Sequence, residues 1–298
     1  MSKIFERTVF DSVKTSIVNL YGAEQHAFRP LGSTTSALIA IHDAITSFME
    51  SSDNLCVRVT CLDFSKAFDR LPHRNLIECL EKQNFSHGFL LWIGSFLSNR
   101  VQRVSINDMF GPVTSVCSGV PQGSVLGPPL FALFIANLTL THSQDVKLIK
   151  YADDLTLVEA CQANKVAPFS LDVINKWAFE NKMLLNHAKC QQMIVSRTKH
   201  CPDVAYANIE LSKSVNILGV TLSNNLKWDI HFDKVLLSAN RRLHVLRLLK
   251  SYVPKNDLLE FLRASIIAII RAGHLRSGFA LRAPERTVLC RSAERKFF

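Results

Sequence analysis

No stretch of this 298-residue chain is long and apolar enough to cross a bilayer as a helix. The longest apolar runs, Leu130 to Leu140 and Phe261 to Ile270, fall short of the roughly 20 residues a spanning helix needs, and they carry Asn137 and Arg263. The N-terminus, Met1-Ser2-Lys3-Ile4-Phe5-Glu6-Arg7, lacks the apolar segment of a secretory signal. With no lipidation signal either, the expectation is an intracellular protein off the membrane. The eight cysteines form no Cys-x-x-Cys pair, and most lie in apolar patterns, as Cys61 and Cys117 do. They are expected to be reduced core residues. His187 and Cys190 with His200-Cys201 come nearest to a zinc set, but their spacing matches no familiar site and zinc is rejected. Internal repeats and low-complexity tracts are absent too.

What is present is a large apolar share and a lopsided charge. At 48% hydrophobic the chain can build a substantial core, in two or three subdomains. Its formal net charge is +10, and residues 231–298 hold 14 Lys and Arg against 5 Asp and Glu, which is +9 of it. A basic end beside a near-neutral, acid-bearing body implies a polyanionic partner, nucleic acid or an anionic membrane, and charge alone does not choose.

Taken in order, residues 3 to 20 have the apolar spacing of an amphipathic packing helix, with Ile4, Phe5, Val9, Phe10, Val13 and Ile17 on it. An irregular stretch from Gly22 to Gly32 leads to a capped helix over Ser36 to Met49. Arg29 stands close to that helix start, where it is either a phosphate ligand or a surface cation. Leu55 to Leu62 alternates as a buried strand and ends directly in Asp63, either an N-cap or a functional acid at a strand end. Helices follow over Asn75 to Leu97, then a strand over Arg100 to Asn107. The loop Ser118-Gly119-Val120-Pro121-Gln122-Gly123-Ser124-Val125-Leu126-Gly127-Pro128-Pro129 runs into a helix over Leu130 to Leu138, with its prolines at the helix start. Glycines there permit close backbone approach, and Gln122 offers a donor and an acceptor.

Tyr151-Ala152-Asp153-Asp154 joins two strand-like arms, Val146 to Lys150 and Leu155 to Val158, as a hairpin with paired acids at its tip. Asp tolerates the left-handed backbone that such a tip needs. Two adjacent carboxylates repel unless a cation neutralises them, so the pair is a divalent-metal site or a solvated turn. Beyond it come a helix over Leu171 to Leu185, strands over Gln191 to Ser196 and Ile217 to Leu222, and a basic amphipathic helix over Val235 to Lys250. Leu258 to Ile270 is expected to be buried, and the tail from Arg271 to be poorly ordered.

Asp63 at a strand end, the Gly-Val-Pro-Gln-Gly-Ser loop and the Tyr-Ala-Asp-Asp hairpin, in that order, closely resemble reverse transcriptases of non-LTR (LINE-type) retrotransposons. The likeness extends to Ser2 through Arg7, Gln25 through Thr35, Asn181 through Cys190 and Ile217 through Leu222. It implies an α+β, right-hand polymerase fold with an antiparallel palm sheet. Residues 1–50 would be partial fingers, 51–230 the palm with interleaved fingers elements, and 231–298 a helical thumb-like region. The implied activity is RNA-directed DNA polymerisation on an RNA template, from a DNA primer and dNTPs, with two Mg²⁺ ions or possible Mn²⁺ in their place. Family role points to the nucleus.

By the same resemblance Asp63, Asp153 and Asp154 are the metal-binding catalytic acids, with the backbone carbonyl of Phe64 a further ligand. Phe68 would sit under the incoming sugar and exclude a 2′-hydroxyl. Gln122 and Gly123 would border the nascent pair, Arg29 the triphosphate and Lys189 the pyrophosphate, Tyr151 would bind substrate, and Leu218-Gly219 would grip the primer. Three departures are visible. The chain begins where family members have further finger strands, Ala27 replaces a common Gly, and Arg271 to Phe298 is unlike a thumb continuation. Neither an endonuclease domain nor a zinc knuckle is seen. The other reading is therefore a truncated or co-opted remnant that binds nucleic acid or a partner without synthesis.

Overall fold

A computed structural model describes residues 2–51, 54–140, 144–162, 170–196, 205–206 and 208–271. Helices α1 (Ser2–Asn19) and α2 (Thr34–Glu50) precede strand β1 (Asn54–Leu62). Then come α3 (Ala67–Arg70), α4 (His73–Lys82) and α5 (His87–Leu97), and a small apolar hairpin extension of β2 (Arg100–Gln102), β3 (Ser105–Ile106), β4 (Met109–Phe110) and β5 (Thr114–Val116). Helix α6 (Gly127–Ala136), strands β6 (Val146–Tyr151) and β7 (Asp154–Gln162), α7 (Ser170–Glu180) and β8 (Gln191–Ser196) complete the central layers. Short strands β9 (Glu210–Leu211), β10 (Ser214–Ile217) and β11 (Val220–Ser223) lead to helices α8 (Asp229–Leu249) and α9 (Lys255–Phe261), the latter continued by a π-helical turn at Leu262–Ile267.

The organising element is a five-stranded sheet in the order β6-β7-β1-β8-β9, antiparallel throughout its four long strands and closed at one edge by the two-residue parallel strand β9. Strand residues alternate between two apolar cores, because successive side chains point to opposite faces. Leu62, Leu148, Leu155 and Leu157 pack toward α1, α4, α5, α6 and α7, while Val57, Val59, Ile149, Val158 and Met193 pack toward α2 and the β10–β11 hairpin. With both faces covered, β7 is buried over nearly its whole length, polar Thr156 included. Helix α2 starts on a capping box in which Ser33 and Ser36 bond reciprocally, and α6 takes its two prolines in the first turn, where a missing N–H costs nothing.

A third, separate core joins α8, α9 and the π-helical turn through Ala239, Leu246, Leu258, Leu262 and Ile266. Arg241, Arg242 and Arg247 of α8 lie on its exposed side. Some expectations need correction. The helix after the acidic hairpin stops at Glu180 instead of Leu185, with Lys182 turning left-handed to redirect the chain. Arg100 to Asn107 is two short strands, Ile217 to Leu222 is a tight hairpin, and the basic helix α8 begins at Asp229 instead of Val235. Ile4 and Phe5 of α1, Leu237 and Leu248 of α8, and Cys117 are exposed. Cys56, Cys79, Cys161 and Cys190 are buried thiols, as expected. His200, Cys201 and the tail beyond Arg271 lie outside the described residues, and no described helix is long and apolar enough to cross a membrane.

One polar cluster is embedded in the sheet. Arg58 and Glu159 face each other across β1 and β7, at 1% and 0% exposure, and join through Nε and Nη2 to Oε2, both at 2.8 Å. The Tyr206 hydroxyl donates to the same carboxylate, and its ring lies 3.7 Å from the guanidinium. Removing one partner strands a buried charge, so Glu159→Ala should lose about 3–5 kcal/mol of unfolding free energy. Urea denaturation measures it, and a loss below about 1 kcal/mol would mean that water reaches the guanidinium.

Candidate active site

The strand register brings the acids together. Leu62 pairs with Leu155, so Asp63, one residue beyond the end of β1, lies beside Asp154 at the start of β7. Tyr151 pairs with Asp154 across a two-residue tip of Ala152 and Asp153. The left-handed residue at this tip is Ala152, at φ 56°, and not an aspartate as the sequence suggested. A left-handed residue bearing a Cβ is held there by its surroundings and is a form of strain that concentrates at functional sites.

The three carboxylates feel one another. Burial raises the Asp153 carboxyl above the ordinary value near 3.8 and Asp63 raises it further, against the lowering effect of a bond from its own backbone N–H. Burial, then Asp153 and Asp63, raise Asp154 likewise. Burial, with Asp154 and Cys190 adding to it, pushes the Cys61 thiol next to Asp63 up to about 12, so it stays protonated. Asp63 Oδ2 is buried without a hydrogen bond among the described residues. Lys189 Nζ lies 3.6 Å from it, within ion-pair range but too long for a hydrogen bond. Asp63 caps no helix. Its carbonyl accepts from Asn186 N–H, and the neighbouring Ser65 N–H donates to the Leu184 carbonyl, both at 2.8 Å. That leaves Phe64 in the wide rung opposite Leu185, its own carbonyl turned away from this partner.

A cleft of about 200 Å³ opens over Asp63 and Asp154, lined also by Lys189, Cys61, Asn216 and Leu218 among others, while Asp153 at the hairpin tip is not part of its lining. Leu218 and Gly219 form the β10–β11 turn, and their φ angles of 50° and 81° fit the type I′ geometry of a tight hairpin. Residues Ser118 to Gly123 dock on the segment after Asp63. Gly119 N–H bonds to Leu71 O, Val120 N–H to Phe68 O, and Gln122 Nε2 to Asp69 Oδ1 at 2.9 Å. A Cβ on Gly119 would come within 2.6 Å of the Asp69 backbone, so only glycine permits this approach. Gly123 is exposed, and the half-buried Phe68 ring stacks on Phe131 at 4.3 Å.

Other sequence candidates stand outside the cleft lining. Arg29 is held by the carbonyls of Gly22 and Gln25, and Tyr151 packs on the α2 side of the sheet. Two buried polar groups near the site were not among the sequence candidates, although both lie in stretches that carry the family resemblance. Glu6, whose Oε2 accepts from Val125 N–H, ties α1 to the glycine loop, and Gln25 contacts the acidic tip. The fit to a cation is testable from the donor set. Among the described residues no three His, Cys, Asp or Glu side chains form a ready cage. Mg²⁺ needs only one or two carboxylates beside substrate phosphates, and crowded acids with an uncommitted oxygen match that need.

The profile of a family described as reverse transcriptase (RNA-dependent DNA polymerase) matches residues 1–222. The RNA-directed DNA polymerase from mobile element jockey of Drosophila melanogaster is 28% identical over 274 residues, spanning 87% of this chain and 29% of that protein. The probable RNA-directed DNA polymerase from transposon X-element of the same fly is 26% identical over 252 residues, spanning 79% of this chain and 27% of that one. The chain thus spans under a third of the length of these relatives. In architecture it is similar to the telomerase from Candida tropicalis in complex with a telomeric RNA fragment, at a TM-score of 0.57 and 12% identity over 96% of this chain and 47% of that one. The apo telomerase truncated from its C-terminal domain gives 0.54 and 13% over 74% and 44%. At such identity the likeness is one of fold.

The raised carboxyls fix a sign for pH dependence. An acid whose folded value lies above its unfolded one favours the folded state while protonated and loses that advantage as pH rises through the window above about 3.9. Asp153→Asn should therefore raise the thermal midpoint at pH 7, and the gain should vanish below pH ~3.5. Thermal melts of both proteins across pH check this; a variant less stable at pH 7 would contradict it.

Proposed function

Since the chain belongs to the reverse transcriptases, related to those of non-LTR retrotransposons, we propose that it extends a DNA primer with dNTPs on an RNA template at the Asp63 cleft. The observation that carries this reading is the placement of Asp63 beside Asp154 on an open cleft, with Asp153 adjoining at the hairpin tip and a buried Asp63 oxygen left without a hydrogen bond. Asp63 and Asp153 are the residues that would hold two Mg²⁺ ions, or Mn²⁺, with Asp154 and the Phe64 carbonyl in support. Bound there, the metal lowers the pKa of a primer 3′-hydroxyl and offsets charge on the leaving pyrophosphate.

The chain's other groups have roles consistent with their positions. Lys189, 70% exposed beside Asp63, carries a proton or positive charge to the pyrophosphate side. Phe68, its ring braced by Phe131, would disfavour a 2′-hydroxyl on the incoming sugar. Gln122, fixed by Asp69, and Gly123 border the nascent pair. Leu218 and Gly219 form the hairpin tip that would contact the primer, and Arg29 would reach the triphosphate after exchanging its carbonyl contacts. In this reading residues 1–50 belong to the fingers, 51–230 to the palm and 231–298 to the thumb, whose α8 arginines track the duplex backbone.

Primer extension tests the reading. Wild-type protein with Mg²⁺, an RNA template and an annealed DNA primer should incorporate dNTPs, and Asp153→Ala should cut the rate on the order of 1,000-fold, about 4 kcal/mol in barrier. Equal nucleic-acid binding by both proteins with extension by neither would assign the chain to a non-catalytic binding role instead.

A further inference from the structure

Gln25 lies in the irregular stretch between α1 and α2, yet it is fully buried, at 0% exposure. Its backbone runs beside β6. His26 N–H donates to Lys150 O and Lys150 N–H to Glu24 O, each at 2.8 Å, which makes Gln25 a one-residue parallel partner of Lys150. From that anchor Oε1 accepts two backbone N–H groups, Ala27 at 2.9 Å and Ala152 at 3.1 Å. Both partners are donors, so the identity of the accepting atom follows from the network.

Ala152 is the left-handed residue of the acidic tip, and Asp153 follows it directly. Without an external contact a Cβ-bearing residue relaxes from this conformation, and relaxation turns the next side chain with it. We propose that Gln25 is the positioning residue of the acidic hairpin, holding Ala152 left-handed and so aiming Asp153 toward Asp63. Its consequence for turnover rests on the polymerase reading; its geometry does not.

The choice of an amide supports this. Gln25 Nε2 is buried with no hydrogen-bond partner among the described residues, a costly state for a donor. Glutamate would supply the same acceptor and strand no donor. It would also add a buried anion next to the backbone of a tip whose following residues, Asp153 and Asp154, are both acidic. A neutral acceptor holds the turn without that penalty.

Two measurements on the full chain test the proposal. In the first, deuterium exchange is followed at residue level in wild type and Gln25→Met, which keeps volume and removes the acceptor. The Ala152 amide should exchange at least tenfold faster in the variant, with the amides of Thr156 to Ala160 within twofold of wild type. An unchanged Ala152 rate, or equal loosening of β7, would overturn the proposal. In the second, steady-state primer extension by Gln25→Met should show kcat reduced about tenfold or more, with KM for dNTP within twofold. Ala152→Gly in that background should restore kcat at least threefold, because glycine adopts the left-handed conformation unaided. A loss confined to KM, or no restoration by glycine, would equally overturn it. If wild type itself extends no primer, the polymerase reading fails while the exchange result still decides the role of Gln25.

Discussion

The constraint on which this structure turns is the repulsion among Asp63, Asp153 and Asp154. Each lies at the end of a strand or in a turn, so none is there to fill the core. The β1–β7 register forces them together, since Leu62 opposite Leu155 leaves Asp63 next to Asp154. Burial first, and the neighbouring acids second, raise the Asp153 and Asp154 carboxyls, which costs stability when they are ionised. The arrangement becomes favourable when a divalent cation and its phosphate ligands supply the missing positive charge.

Much of the remaining molecule holds that repulsion in place. The Arg58–Glu159 pair and the two apolar cores lock β1 against β7 and fix the register. Gly119 lets the loop from Ser118 lie against Asp69, which brings Gln122 to the segment just after Asp63. Glu6 ties that loop back to α1, and Gln25 grips the tip from the opposite edge of the sheet. The β10–β11 turn walls the cleft through Leu218. Strain at Ala152 is tolerable because this shell over-determines it.

The parts legible in the sequence were those with a local chemical cause. Strand β1 shows in alternation, α6 in its prolines, and the acid pair in its position between two β-rich arms. The α+β polymerase architecture was legible through the order of three motifs. What escaped was set by tertiary context. Ala152 rather than an aspartate takes the left-handed position, because Gln25, far away in sequence, supplies its partner. Nothing in the periodicity marks Gln25 or Glu6, polar residues whose burial depends on elements distant along the chain. Ile4, Phe5 and Cys117 look like core residues and are exposed, since an apolar pattern records capacity for burial and not its direction. The end of α7 at Glu180 follows from the need to place Leu184 and Leu185 against Ser65 and Phe64.

The central claim is that Asp63 and the acidic hairpin act as one divalent-cation site for nucleotidyl transfer. Mn²⁺ uptake followed by electron paramagnetic resonance, on the full chain with primer–template and dNTP bound, tests it most directly. Wild type should give a protein-bound Mn²⁺ signal that is lost in both Asp63→Asn and Asp153→Asn. Equal uptake by wild type and either variant would contradict it.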